Sequence, residues 1–254
     1  SDKTCVNGSS VTAQIKPVST LPMAPTASAI LQPTCVVQTG TIIVAFQTGV
    51  QYNTGAGYQS LPTFTNLAPA SYTLSVRNTA DTTCITTGST IIINTAPTPP
   101  SAPTVGSVVQ PTCAVPSGTI VFDNQTGVQY SIGSGFQNSA TFSNLSPGTY
   151  TLFVRSINDN TCVTTGGTVT INAVPTPPSV PALGSIVQPT CALPSGKIVF
   201  LSQSGIQYSV GAAYQNSETF AGLKSGGYNL RVRSISDTTC VTNGASLIVH
   251  TVSN

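Results

Sequence analysis

The cysteines are the residues whose type and spacing are best suited to chemistry. Each complete repeat of the sequence contains two cysteines. The first of them ends the tetrapeptide Gln-Pro-Thr-Cys, which occurs at 32–35, 110–113 and 188–191, 78 positions apart. No Cys-x-x-Cys occurs and the only histidine is His250, which we regard as incidental, so we expect no metal site. Regular cysteine pairs in a Lys-poor, Thr-rich chain predict disulfides formed in an oxidising compartment. The cysteines are Cys5, Cys35, Cys84, Cys113, Cys162, Cys191 and Cys240.

Two disulfide pairings fit this spacing. Pairing inside each repeat joins Cys35 to Cys84, Cys113 to Cys162 and Cys191 to Cys240, and leaves Cys5 unpaired. Pairing across the linker joins Cys5 to Cys35, Cys84 to Cys113 and Cys162 to Cys191, and leaves Cys240 unpaired. We predict the pairing inside the repeat, because each link then closes a loop of about 50 residues, which contributes on the order of 4 kcal/mol. It requires the first cysteine to reach the pole where the last hairpin turns, since the Cα atoms must lie within about 7 Å.

An aspartate stands three residues before a cysteine at four places. One carboxylate per turn falls far short of the oxygen cage that calcium needs. We therefore predict Asx-turns that cap backbone amides, with the arginine four residues earlier as a candidate ion-pair partner. No acid pair recurs, and neither a Ser/His/Asp set nor a glycine-rich phosphate loop occurs, so we predict no catalytic residues and no cofactor. The four aspartates are Asp2, Asp81, Asp159 and Asp237.

The composition excludes several classes of function. Charged residues make up 6% of the chain, and the net charge is +2. The lysines and arginines are scattered along the sequence, so no basic patch indicates nucleic-acid binding. No apolar run reaches the roughly 18 residues that a membrane span needs. The chain opens without Met or a signal peptide, and we expect it to be a segment of a longer protein.

Internal repetition defines the organisation of the chain. Residues 110–173 and 188–251 align almost without slippage, and the first copy begins at Gln32. The opening residues align with the end of a repeat at 80–113. We predict the C-terminal end of a truncated repeat at 1–22 and complete immunoglobulin-like repeats at 23–100, 101–178 and 179–254.

Each repeat is predicted to be an all-β domain of about 78 residues. Val, Ile, Thr, Tyr and Phe dominate, residues alternate in 149–156, and Gly- or Pro-containing turns separate about seven short strands. These features favour an immunoglobulin-like antiparallel β-sandwich. The proline-rich linkers at 95–104 and 174–182 predict stiff polyproline II connectors, a beaded rod and blunted strand edges.

Recurring aromatic residues have two expected roles. A tyrosine after a leucine and a tight turn resembles the tyrosine corner of Greek-key sandwiches, whose hydroxyl bonds to upstream backbone. These residues are Tyr72, Tyr150 and Tyr228. Strand aromatics are most often core residues, but those that follow a glycine-rich turn are candidates for stacking on a sugar. These residues are Tyr58, Phe136 and Tyr214.

The modules open with a cysteine and close on Leu-x-Pro-Gly-x-Tyr-x-Leu-x-Val and Asp-x-x-Cys. In this they resemble the SprB-type repeats of giant Bacteroidota surface adhesins, which include the gliding-motility adhesins of flavobacteria. The resemblance covers the whole chain. It departs in the Gln-Pro-Thr-Cys start, where Cys-Phe-Gly is commoner, and in lacking the usual glycine before the second cysteine. The resemblance implies export through the type IX system, an extracellular cell-surface location and an adhesive filament.

The resemblance also implies O-glycosylation at Asp-Thr-Thr, which makes Thr82 and Thr238 candidate acceptors. We predict a non-enzymatic structural segment that acts as a spacer or adhesive fibre. Its partners would be further copies of the repeat in the parent chain, with surface polysaccharide or a solid substrate as candidate ligands. The alternatives are a carbohydrate-binding array, and a linker arm of a large secreted hydrolase.

Overall fold

The computed structural model describes residues 19–211 and 213–252, and these form three antiparallel β-sandwiches of six strands each. The described residues contain no helix, and hence none that could cross a membrane. The predicted all-β fold of tandem sandwich modules is confirmed.

The strands recur in the same order in each sandwich. The first sandwich contains β1 (Ala27–Leu31), β2 (Gly40–Val44), β3 (Val50–Asn53), β4 (Thr63–Leu67), β5 (Ala70–Asn78) and β6 (Ile85–Ile93). The second contains β7 (Val105–Val109), β8 (Gly118–Phe122), β9 (Val128–Ser131), β10 (Thr141–Leu145), β11 (Gly148–Ser156) and β12 (Val163–Ile171). The third contains β13 (Leu183–Val187), β14 (Gly196–Phe200), β15 (Ile206–Ser209), β16 (Thr219–Leu223), β17 (Gly226–Ser234) and β18 (Val241–Val249).

Two three-stranded sheets make up each sandwich. In the first, the sheets have the orders β1-β2-β4 and β3-β5-β6, and every pairing is antiparallel. The predicted count of about seven strands exceeds the six observed because one segment forms only a single bridge, Tyr52 to Gln59, after a turn with two positive-φ glycines. Equivalent bridges join Tyr130 to Gln137 and Tyr208 to Gln215.

The core follows from strand alternation, because successive side chains point to opposite faces of a sheet. In β2, Gly40, Ile42 and Val44 point inward and are buried, whereas the intervening residues are half-buried. Gly40 must be small, since a Cβ there would lie 2.6 Å from the Ile93 side chain of the facing sheet. The buried residues of the first core are Ile42, Val44, Tyr52, Phe64, Leu74, Val76 and Ile93. The two other sandwiches have equivalent cores.

The proline-rich segment before each sandwich lies along the first half of its last strand. Thr86 of β6 donates its hydroxyl to the Pro22 carbonyl at 2.8 Å, and Gly88 leaves room for Pro25. Thr164 and Thr242 donate in the same way to Pro100 and Pro178 at 2.7 Å. The prolines therefore cover a strand edge that would otherwise present backbone groups for mispairing.

The chain divides into two compact units. The first unit comprises Ser1–Pro99 with Asp159–Cys162, and the second comprises Pro100–Asn158 with Val163–Asn254. All named strands fall inside the predicted repeats at 23–100, 101–178 and 179–254. The repeat boundaries themselves stay predictions. Residues 1–18 of the predicted truncated repeat, including Cys5, lie outside the described residues.

Candidate functional site

Two recurring segments bring the cysteines together. We call the segments that begin with Gln-Pro-Thr-Cys, at 32–38, 110–116 and 188–194, the first-cysteine loops. We call the segments between the last two strands of each sandwich, at 81–84, 159–162 and 237–240, the Asp–Cys turns.

Each observed disulfide joins a first-cysteine loop to the Asp–Cys turn of the following repeat. Cys35 is bonded to Cys162 in the first compact unit, and Cys113 to Cys240 in the second. Both have a Cα–Cα distance of 5.0 Å and a sequence separation of 127.

The predicted pairing inside the repeat is therefore wrong, and so is the pairing across the linker. The incorrect pairs inside the repeat are Cys35 with Cys84, Cys113 with Cys162, and Cys191 with Cys240. The incorrect pairs across the linker are Cys5 with Cys35, Cys84 with Cys113, and Cys162 with Cys191.

The length of β6 explains why the two cysteines of one repeat do not pair. Cys84 directly precedes β6, whereas the loop that carries Cys35 is attached where β6 ends. The nine residues of β6 span roughly 27 Å at the usual rise of a strand. Because a disulfide needs Cα atoms within about 7 Å, the two cysteines of one sandwich lie too far apart to bond.

The glutamine of each first-cysteine loop holds the loop against the end of the last strand. Gln32 donates from Nε2 to the Ile92 carbonyl at 2.9 Å and accepts the Asn94 amide proton on Oε1 at 2.8 Å. Gln110 and Gln188 make the equivalent pairs of bonds. This side chain continues the ladder that the strand begins, so it fixes the position of the cysteine three residues later.

The threonine shapes the loop itself. The Thr34 amide donates to the Val37 carbonyl at 2.8 Å, and the Val37 amide donates to the Thr34 hydroxyl at 3.0 Å. The preceding Pro33 is buried. These contacts close a small turn that leaves the Cys35 amide and sulfur available to another segment.

The aspartate of each Asp–Cys turn uses both carboxylate oxygens. In the first unit, Asp159 Oδ1 accepts from the Thr161 amide at 2.9 Å and hydroxyl at 2.7 Å, as the predicted Asx-turn requires. Its Oδ2 accepts the Cys35 amide proton at 3.0 Å. One side chain thus shapes its own turn and binds the incoming loop beside the disulfide.

The second unit repeats this arrangement and adds a contact. Asp237 Oδ2 accepts from the Cys113 amide at 2.9 Å, and the Thr239 hydroxyl accepts from the Ala114 amide at 3.2 Å. The Thr239 hydroxyl, its amide and the Cys113 amide stabilise the Asp237 carboxylate and lower its pKa. The hydroxyl and amide of Thr161, with the Cys35 amide, lower the pKa of Asp159.

These clusters have the composition of a metal site without its chemistry. The ligand atoms of Cys35, Asp159 and Cys162 lie within 4.8 Å of one another, as do those of Cys113, Asp237 and Cys240. Both sulfurs of each cluster belong to a disulfide, whereas a metal ligand must be a thiolate. The geometry therefore supports a covalent junction.

The arginine predicted as an ion-pair partner of the aspartate contacts another part of its repeat. Arg155 donates from Nε to Gln129 Oε1 at 2.8 Å, and its guanidinium lies 4.4 Å from the centre of the Phe136 ring. Arg77 and Arg233 cover Tyr58 and Tyr214 in the same way at 4.3 Å. The three candidate stacking rings are half-buried, and an arginine of their own repeat occupies one face of each.

Two tyrosines fasten each sandwich. Tyr72, Tyr150 and Tyr228 donate their hydroxyl protons at 2.8 Å to the carbonyl four residues upstream, which is the bond that a tyrosine corner requires. A second set was not predicted, although the recurring Gln-Tyr pair signals it. Tyr52, Tyr130 and Tyr208 are buried, and each hydroxyl both donates to and accepts from the backbone of a residue five positions earlier.

The candidate acceptors of glycosylation lie at the surface. Thr82 and Thr238 are exposed in Asp–Cys turns, directly after the aspartate. Asn160 occupies the same position in the middle turn.

Fold and junction together define the class: a tandem β-sandwich repeat protein in which disulfides connect consecutive repeats. No protein-family model matches the chain. No curated protein matches it either.

Two solved structures show a distant likeness. The FN1–FN3 domains of chicken CNTN1 share 12% identity over 92% of this chain and 99% of that chain, with a TM-score of 0.32. The SGBP-B protein of the Bacteroides ovatus mixed-linkage glucan utilization locus, in complex with a mixed-linkage heptasaccharide, shares 12% identity over 91% of this chain and 71% of that chain, with a TM-score of 0.21. The strands and sheets of this chain itself establish its fold.

Proposed function

We propose that this chain is a non-enzymatic spacer segment of an extracellular, cell-surface adhesin or filament. The observation that carries the proposal is the disulfide between each first-cysteine loop and the Asp–Cys turn of the following repeat. A link of this kind adds a second covalent connection between consecutive repeats beside the peptide linker.

The connection gives tension a covalent route around folded strands. A pull on the chain ends passes from Cys35 through the disulfide to Cys162, which bypasses the peptide chain of residues 36–112. The second link, from Cys113 to Cys240, overlaps the first. A sequence separation of 127 corresponds to about 440 Å of extended chain for one loop. The two loops share residues 113–162, so the lengths that they withhold do not add.

The repetition of contacts also favours a spacer over a ligand-binding array. The glutamine clamp, the tyrosine bonds and the stacked arginine recur in every repeat. Disulfides persist mainly in oxidising compartments, which supports an extracellular location. The type IX export route and a role in gliding motility rest on the resemblance of the repeats to SprB-type modules.

Stretching single molecules by their two ends tests the spacer function. We expect the oxidised chain to lengthen far less than the reduced chain, because one loop alone withholds about 440 Å of contour and the second, overlapping loop withholds a smaller additional length. The C113S/C240S variant serves as the matched control, since it retains the Cys35–Cys162 loop and should give an intermediate length. Equal lengthening with and without reductant would refute the load-bearing function.

Immuno-electron microscopy of the native organism tests the location. An antibody against this chain should label thin filaments that project from the cell. Label found only in the soluble secreted fraction would refute the cell-surface role and direct attention to an attached secreted enzyme.

We further propose that Thr82 and Thr238 carry O-linked glycans in the native protein. Their exposure in turns leaves room for a sugar, and the Asp-Thr-Thr sequence is the basis for choosing them. Intact-mass measurement of the native protein should show additions of hexose size that disappear in the T82A/T238A variant. An unmodified mass would refute this proposal.

A further inference from the structure

Arg231 is a residue of the third sandwich whose side chain lacks a partner within the fold. Its Nε, alone among the buried side-chain nitrogens and oxygens of the described residues, has no hydrogen-bond partner. Buried polar groups in proteins are almost always paired, and burial of an unpaired charged group is costly. Only Nε is buried in this way and the side chain as a whole is half-buried, so the terminal nitrogens Nη1 and Nη2 are open to a ligand.

The fold places a second arginine beside it. Leu230 and Val232 of β17 point into the core, with exposures of 1% and 0%. Arg231 and Arg233 therefore lie on the outer face of the sheet β15-β17-β18. Residues two positions apart on a strand have Cα atoms about 7 Å apart. Two positive charges at this spacing attract an anion that both long side chains can contact.

Arg233 is held in position by its own repeat. It donates from Nε to Gln207 Oε1 at 2.8 Å, and its guanidinium lies 4.3 Å from the centre of the Tyr214 ring. Neither partner neutralises the charge, since a side-chain amide and an aromatic ring carry none. Both arginines therefore present a positive charge on this face.

The other two repeats lack a charge at the position of Arg231. Ser75 and Phe153 occupy the equivalent positions. In the first repeat, the Tyr58 hydroxyl lies 3.4 Å from Ser75 Oγ, so the aromatic ring of the glycine-rich turn reaches this position. The equivalent ring of the third repeat is Tyr214. The third repeat thus adds one arginine to a scaffold that the other repeats share.

The distribution of charge along the chain agrees with a site in this repeat. Residues 179–254 contain four lysines and arginines and two acidic residues, whereas residues 1–178 contain four of each. The whole net charge of +2 therefore belongs to the third repeat. Its two carboxylates are bound elsewhere, Glu218 by the Ser202 hydroxyl and Asp237 within its Asp–Cys turn.

We propose that the outer face of β17 around Arg231 and Arg233 binds an oxyanion of an acidic polysaccharide, either a carboxylate or a sulfate. The planar guanidinium of Arg231 offers donors in a fork that matches two oxygens of such a group. Arg233 supplies a second positive charge, which Gln207 and Tyr214 hold in place.

The neighbours of the two arginines favour a sugar over an acidic peptide. Asn243 is exposed and lies opposite Arg231 on β18, where its amide can both donate to and accept from sugar hydroxyls. The Tyr214 hydroxyl can do the same. The outer face of a sheet is open along its length, which suits an extended polymer.

Calorimetric titration of the full chain with three polymers tests the site. Polygalacturonate carries carboxylates, dextran sulfate carries sulfates, and dextran carries neither. We expect binding to at least one of the charged polymers and none to dextran, with an affinity that falls as salt is added. The preferred polymer identifies the oxyanion. Absence of binding to both charged polymers would overturn the proposal.

Two variants that remove the same charge separate the site from the net charge. R231S introduces the residue of the first repeat, and K197T introduces the threonine that both other repeats have on the equivalent strand. We expect R231S to weaken binding roughly tenfold, and K197T to change it little. Equal losses in the two variants would show that net charge alone attracts the polymer, and would overturn the site.

R231K tests the fork of donors, because lysine retains the charge but offers a single ammonium group. We expect it to bind more weakly than the parent, and unchanged affinity would contradict recognition by the guanidinium. Denaturant unfolding should show that R231S and K197T are as stable as the parent, so that lost binding is not lost folding.

Poly-L-glutamate distinguishes an acidic polypeptide from an acidic polysaccharide. We expect it to bind more weakly than the preferred polysaccharide. Tighter binding that R231S abolishes would overturn the polysaccharide as the ligand and assign the face to an acidic polypeptide. The inference does not depend on the spacer function, because stretching tests the disulfides and titration tests this surface.

Discussion

The Asp–Cys turns at 81–84 and 237–240 have the same internal hydrogen bonds but different cysteines. Cys240 is 0% exposed and disulfide-bonded, whereas Cys84 is half-buried and a thiol. The bonds from the aspartate to its threonine are present in both. The shape of the turn is therefore local, whereas the burial of its cysteine comes from the first-cysteine loop of another repeat.

Some features of the fold are specified by one repeat alone, and others require two consecutive repeats. A single sandwich forms its core, its tyrosine bonds and its Asx-turn from its own residues. The disulfide, and the bond from a cysteine amide to the aspartate, require a neighbour. Each junction therefore stabilises two repeats, and removal of one junction should destabilise both of the repeats that it joins.

The largest expected effect comes from removing an occupied junction. The C113S/C240S variant should lose up to about 5 kcal/mol of unfolding free energy, as the chain-entropy model gives for a loop with a separation of 127. C84S should change the unfolding free energy little, because no intramolecular link is lost. Denaturant unfolding of the oxidised proteins measures both, and equal losses would contradict the comparison.

The aspartate should matter most where a loop is bound. D237N retains the oxygen that accepts from Thr239 and loses the acceptor of the Cys113 amide proton. Refolding of the reduced chain in a glutathione buffer should then yield severalfold less of the Cys113–Cys240 disulfide. D81N should leave that yield unchanged, and peptide mapping by mass spectrometry compares the two. Loss of the disulfide in D81N as well would indicate a general folding defect.

The fold could be predicted from the sequence because its signals are local. In β11, Leu152 and Val154 alternate with polar or half-buried residues, and their exposures of 2% and 0% follow from that period. The Asx-turns and the bonds of Tyr72, Tyr150 and Tyr228 join residues only a few positions apart, so the sequence alone predicted them. The expected seventh strand is reduced to a single β-bridge in each sandwich.

The disulfide pairing could not be predicted in this way. Every repeat has the same loop and the same turn, so the identity of the residues does not indicate which loop meets which turn. The information lies in the direction and length of β6, which places the two cysteines of one repeat at opposite ends of a nine-residue strand. A chain-entropy argument favours a shorter loop only where the native geometry permits it.

Acid should also weaken the two disulfide-bonded junctions, with a smaller effect than the removal of a disulfide. Hydrogen bonds in the folded state lower the pKa of Asp159 and of Asp237 from the ordinary 3.8. Groups with a lowered pKa stabilise the fold above the unfolded pKa, and this stabilisation is lost as the pH falls through the folded pKa. Unfolding free energy should therefore be flat near neutral pH and fall below about pH 4.

The D159N/D237N variant should flatten the acid part of that curve, which denaturant unfolding at a series of pH values measures. Glu218 contributes in the same direction, because the Ser202 hydroxyl lowers its pKa. The E218Q variant is therefore the control, and it should retain the part of the slope that the two junctions supply. An unchanged slope in D159N/D237N would show that the junction carboxylates do not supply it.

A smaller effect is expected on the reactivity of Cys84. Burial of the thiol, followed by the charge of Asp81 and its hydrogen bond with the sulfur, raises the pKa of Cys84 above 9.0, with a smaller opposing effect of the Thr83 hydroxyl. Because the thiolate is the reactive form, iodoacetamide should modify Cys84 slowly at neutral pH and faster in D81N. The alkylation rate is followed by mass spectrometry across pH in a C5S/C191S background, and an identical pH profile in D81N would contradict the role of the charge.

The equivalent charges of Asp159 and Asp237 should slow the reduction of the disulfides beside them. Reduction of a disulfide releases a thiolate, and the release is slower when that thiol has a higher pKa. Asp159 Oδ2 lies 3.4 Å from the Cys162 sulfur, and Asp237 Oδ2 lies 3.2 Å from the Cys240 sulfur. D237N should therefore modestly accelerate reduction of Cys113–Cys240 by dithiothreitol and leave the rate at Cys35–Cys162 unchanged. If both disulfides accelerate together, the carboxylate acts through the stability of the fold and not through its charge beside the sulfur.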